Sequence, residues 1–280
     1  MKRHITVPLA ALLLGAAGFA VRLWERRTAY DAVSGLTELS LPAPILLLAL
    51  TVAALALALV MARMPHRTFD GGYDEAFYAP STLYITLVVL AAVTLFAAGV
   101  LSFLDYRDSV ALYSTGFLQS KPSVIQALLA ALCILSGVCV LPVGKNSYRG
   151  LGKGSFSAPL LAPAFMSCLW LVASYLEESG NPDLMTFVFG RMAAITAVLA
   201  LYYICSFSFE KAKPGRTVFF SMAAIFFSFV SLADASALYL RMLGLFAILC
   251  LTAQLAALCR NDEEARQPQH FTPEVSTDEP

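Results

Sequence analysis

The amino-acid sequence predicts an all-α, polytopic transmembrane helix bundle of about eight spans, and three observations carry that reading. Of 280 residues, 59% are hydrophobic and 14% charged, against about 45–50% and about 25% in soluble domains. The apolar residues gather in blocks of roughly 18–24, the length that crosses about 30 Å of hydrocarbon at about 1.5 Å per residue. In the second half, basic loops alternate with an acidic one, as expected when successive loops lie on opposite sides of a membrane. A β-barrel would instead show short segments of alternating hydrophobicity.

The first block, 5–23, begins within MKRHITVPLAALLLGAAGFA and ends at Leu23. A basic start, an apolar middle and small residues at Gly18 and Ala20 also describe a cleavable signal peptide. Likeness between the two halves of the chain favours a retained span. Blocks 43–62, 82–104, 123–142, 157–177 and 185–208 come next. In the fifth, Pro163 predicts either a kinked first turn or a helix broken at a binding site. From Thr217 to Cys259 the chain is apolar almost throughout. One helix there would run roughly 64 Å, about twice the membrane core. The chain must reverse, and SLADASA around Asp234 is the polar place to do it. Blocks 217–234 and 236–259 therefore form a hairpin. Residues 260–280 are polar and lack apolar periodicity, which predicts a disordered cytoplasmic tail.

The halves of the chain are alike. TLFAAGVLSFLD compares with AAIFFSFVSLAD, and both end in Ser-x-x-Asp: Ser102 with Asp105 and Ser231 with Asp234. Apolar helices also resemble one another by composition alone. Taken as a duplication, the internal repeat divides the chain into two parallel four-helix units, 1–142 and 143–259, related about the membrane normal.

Lysine and arginine counts place both termini in the cytoplasm, with the plasma membrane as the expected location. GKNSYRGLGKGS and FEKAKPGR are basic and fall inside; EESGNPD is acidic and falls outside. RLWERR, with Arg22, Arg26 and Arg27, runs against the rule. Net charge is zero, so there is no electrostatic case for nucleic acid.

Chemistry is sparse. His4, His66 and His270 all lie outside the predicted spans, which argues against a bis-histidine membrane haem or a histidine zinc site in the bilayer. HExxH is absent, and so is a GxSxG elbow with a histidine partner. GLGKG (Gly150–Gly154) lacks the full phosphate-loop pattern. Six cysteines make no CxxC pair and read as small apolar packing residues. The expectation is a non-enzymatic protein without cofactor or metal.

Charges near the outer ends of the blocks remain. Arg191 and Arg241 each sit one to two turns inside a span, where an unpaired ion is costly unless its side chain reaches the headgroups. The expected cluster contains Asp234, Arg241 and Arg191, with Glu177 close by and Asp105 at the matching position of the first half. Arginine suits the site because its planar fork bridges carboxylates. Such a cluster either pins the hairpin or lines an outer vestibule that meets a solute or proton.

The first specific expectation is a small-solute or ion permease; the alternatives are an accessory subunit packed against a membrane-protein partner and a small lipid-acting enzyme. A permease calls for a polar midplane cavity lined by Ser167, Ser174, Thr196 and Gln254. An accessory subunit calls for a filled core and an outward patch of small residues. An enzyme calls for acidic or cysteine groups converging at one interface.

Overall fold

The computed structural model describes residues 3–29, 40–64, 66–69, 71–115, 123–150, 157–178, 184–209, 211–234 and 236–264. Among them the regular structure is helical, with no strand. Eight helices are long and apolar enough to cross a membrane. They are α1 (Arg3–Thr28), α2 (Pro42–Arg63), α4 (Thr82–Ser114), α5 (Val124–Arg149), α6 (Ser157–Glu178), α7 (Leu184–Ser206), α8 (Pro214–Ser231) and α9 (Leu238–Glu264). A five-residue helix, α3 (Gly72–Ala76), follows α2, and a 3-10 turn (Phe207–Phe209) follows α7.

Each predicted block falls on one of these helices, and the chain reverses between Ser231 and Leu238 around Asp234. Four helices run well past the ends of their blocks, α1 to Thr28 and α5 to Arg149 among them. Helix α4 continues through DYRDSVALYS to Ser114. Helix α9 continues to Glu264, so Arg260–Glu264 of the expected tail are helical. In α4 and α9 hydropathy falls before helix-forming tendency does, because arginine, glutamate, alanine and leucine are good helix formers. Residues 265–280 lie outside the described residues. Helix α6 is unbroken through Pro163. Gly150 ends α5 in the left-handed region, φ 65°, as helix termini often require; the rest of GLGKG lies outside the described residues.

Helix α9 occupies the middle. It packs against α1, α3, α4, α6, α7 and α8, and 78% of its apolar window is buried, against 17% for α2. Tyr239, Leu243, Phe246 and Leu251 fill the axis. Lipid is as apolar as leucine, so close packing and polar pairs, not exclusion from water, fix such an arrangement. Gly15 and Gly18 show the closeness: a Cβ at either would press into Phe229, or into Val230 and Phe226, of α8. The halves interleave, since α1 packs on α8 and α9, and α4 also packs on α9.

Candidate functional site

Asp234 lies in the α8–α9 connection, and its partner comes from the far end of the sequence. Arg22, in the penultimate turn of α1, donates Nε to Asp234 Oδ1 at 2.9 Å. The same guanidinium donates Nη1 to Glu25 Oε2 at 2.8 Å, one turn on along α1. All three side chains are buried: Arg22 is 2%, Glu25 5% and Asp234 3% exposed. Arg26 donates to the Ala233 carbonyl at 2.9 Å, fastening α1 to the hairpin backbone. The Arg22 guanidinium also lies 5.2 Å from the Phe189 ring centre, a favourable cation–π arrangement. Arginine can serve two carboxylates here because its donors form a planar fork and stay charged.

Asp234, Arg241, Ser174, Ser231, Ser236 and Trp170 surround a cavity of about 20 Å³, roughly the room one water needs. Asp234 Oδ2 and Arg241 Nε are both buried without a hydrogen-bond partner among the described residues. Burial pushes the Asp234 carboxyl up to about 6, against the opposing pull of Arg22 and Arg26. Desolvation of an ion this deep outweighs its attraction to the arginines.

Of the five residues expected to cluster, two line one cavity. Asp234 and Arg241 share the cavity wall, but the described ion pair of Asp234 is with Arg22. Arg191 stands over the Tyr175 ring at 5.5 Å. The Glu177 side chain lies outside the described residues. Asp105 is exposed on α4, with no described hydrogen bond or ion pair to the cluster. Sequence reasoning missed Arg22 and Glu25 as members. The signal was RLWERR itself, an arginine excess at an end where the charge rule leaves it unexplained.

Comparison with protein-family models, curated proteins and solved structures returned no match. Geometry alone therefore carries the functional reading.

The four midplane candidates bond within the bundle. Ser167, Ser174 and Thr196 donate to carbonyls of their own helices. Gln254 Nε2 donates to the Tyr73 and Tyr84 hydroxyls at 3.2 and 3.4 Å. Gln254 also lines a largely apolar cavity of about 30 Å³ where α4, α5, α6, α7 and α9 meet, together with Val88, Pro163, Leu201 and Cys250.

The opposite end carries a second polar group. His66 Nδ1 pairs with Asp262 Oδ2 at 3.2 Å, and the Arg67 amide donates to Asp262 Oδ1 at 2.8 Å. His4 Nδ1 meets Glu263 Oε2 at 2.8 Å. Asn261 Nδ2 donates to the carbonyls of Ala76 and Tyr78, both at 2.9 Å. Among the described residues, no three His, Cys, Asp or Glu side chains group to hold a metal ion.

Proposed function

We propose that this integral membrane protein is an accessory bundle that packs against the transmembrane span of a partner through α2. The observation that carries the reading is the filled axis. Where a permease needs a path, α9 places Tyr239, Leu243, Phe246 and Leu251, each 1% exposed or less. Helix α2 is held mainly by α1 and α8 and turns Ala49, Ala53 and Ala56 outward. Small residues at such spacing let a second helix approach closely. Both termini lie in the cytoplasm on this reading. Two arginines that run against the charge bias, Arg22 and Arg26, are held inside the bundle by Asp234 and the Ala233 carbonyl.

A photoreactive residue at Ala53, in the native membrane, tests this. A discrete protein adduct is expected there and not at Val89, an exposed position on α4, and Ala53→Trp should abolish partner copurification. Lipid adducts alone at Ala53 would overturn the reading.

The cavity at Asp234 favours a second reading, a small-solute or proton-coupled permease, because Oδ2 and Arg241 Nε are buried there without partners among the described residues. Reconstituted protein would then take up solute in response to a pH gradient, and Asp234→Asn would lose the response while remaining folded.

A further inference from the structure

We propose that the groove between α2, α7 and α8, at the end of the bundle bearing His66, binds the headgroup of an anionic phospholipid. The groove has a volume of about 640 Å³. Its apolar wall is Leu59 and Ala62 of α2 with Phe219 and Phe220 of α8; its polar mouth carries Lys213, Arg216 and His66. Among the described residues, no acidic side chain lines it.

Position along the chain explains the division. Helix α2 ends at Arg63 and α8 begins at Pro214, so the mouth lies where two spans end and the apolar wall lies within them. The α8 backbone reaches α2 here, since a Cβ at Gly215 would collide with the Ala62 carbonyl. The positive end of the α8 dipole therefore adds to the field of Lys213 and Arg216. Arg216 is pre-positioned: its Nη1 donates to the Tyr203 hydroxyl at 3.2 Å, and the Tyr203 ring stacks on Phe220 with centres 5.5 Å apart. His66 is oriented through Nδ1 by Asp262, and its Nε2 has no hydrogen-bond partner among the described residues.

The occupant follows from this chemistry. A free phosphate would satisfy the mouth but make no use of the phenylalanine and leucine wall that continues from it into the spans. A zwitterionic lipid would bring an ammonium group to a site that offers it no carboxylate. An anionic phospholipid supplies both what the mouth and what the wall require, and basic pockets between helix ends select such headgroups.

The test uses the full-length protein in detergent, with lipid retention read by native mass spectrometry and by thermal shift. Phosphatidylglycerol should be retained over phosphatidylcholine. Lys213→Gln with Arg216→Gln should lower that preference about 30-fold, since each cation near the surface contributes about a factor of five. Both residues are exposed, so the pair of changes leaves folding intact. Ala62→Phe, which keeps the charges and fills the wall, should also lose retention. Lys145→Gln with Arg149→Gln, basic positions on α5 outside the groove, should change nothing. Preference surviving the first pair, or surviving Ala62→Phe, overturns the site. So does competition by inorganic phosphate at the concentration at which the lipid binds.

Discussion

At the Asp234 end, one arginine holds two carboxylates and thereby a helix to a hairpin 212 positions away in sequence. At the His66 end, the same task of joining distant elements is spread over several contacts: His4 with Glu263, His66 and the Arg67 amide with Asp262, and Asn261 with the Ala76 and Tyr78 carbonyls. The first arrangement concentrates the junction in three buried ions. The second distributes it over contacts of unequal burial. In a bilayer, where exclusion from water does not hold helices together and polar pairs share that work with packing, the two designs should fail in different ways: the first abruptly when one member is removed, the second by increments.

The largest effect is expected for Arg22→Ala. Removing the shared cation leaves Glu25 and Asp234 buried without the guanidinium that both bond, which costs about 3–5 kcal/mol for a buried pair. Thermal unfolding in detergent should show this loss, and Arg22→Lys should recover only part of it because an ammonium lacks the fork. A loss below about 1 kcal/mol would mean that the ions reach water, and the contrast between the ends would vanish.

Next comes Asn261→Ala. It strips the donor from the Ala76 and Tyr78 carbonyls, and an unsatisfied buried polar group costs about 1–3 kcal/mol. The remaining contacts at that end should keep α3 docked. Hydrogen exchange at Tyr73–Phe77 should rise only modestly; full release of the segment would show that this end, too, hangs on one residue.

Asp234→Asn sharpens the comparison through pH. The folded carboxyl titrates near about 6, above its ordinary value of 3.8. The fold therefore holds this proton more tightly than the unfolded chain does. Its stabilising contribution is fully present below about 3.8 and is lost as pH rises through about 6. Wild-type stability relative to the asparagine variant should accordingly be greater at about pH 4.5 than at about pH 7.5. A gap that widens with rising pH would mean that the arginines, not burial, dominate the site.

The same contrast explains what could be read from sequence. Spans were legible because apolar length is set by the bilayer, and Asp234 because a carboxylate in an apolar stretch must be accounted for. Its partner was not, since nothing local to residues 231–242 points to a turn of α1. Arg241 is nearer in sequence, yet it shares only the cavity wall with Asp234. The His66 end was less legible still. Asn261, Asp262 and Glu263 come after the last apolar block and carry the composition of a tail, yet residues 66–78 after α2 give the first two partners. Glu263 is the exception, reaching His4 at the start of α1. Polar residues that close a bundle end look, one at a time, like polar residues that merely leave it.

The smallest effect is expected where the distributed end meets water. Arg67 Nη2 lies 3.0 Å from Glu75 Oε1, with the two side chains 48% and 30% exposed. Solvent screens such a pair, and exposed pairs contribute about 0–1 kcal/mol. The Arg67 contact that reaches into the bundle is made by its backbone amide to Asp262, which Arg67→Ala preserves. Glu75 also accepts from the Gly71 amide, so Glu75→Gln should keep that bond while losing the charge. Either change alone, and both together, should shift unfolding by less than about 1 kcal/mol, with the double change adding little to the singles. A coupling above that size would make Arg67–Glu75 a true counterpart of Arg22–Asp234. The distributed end would then have its own single point of failure.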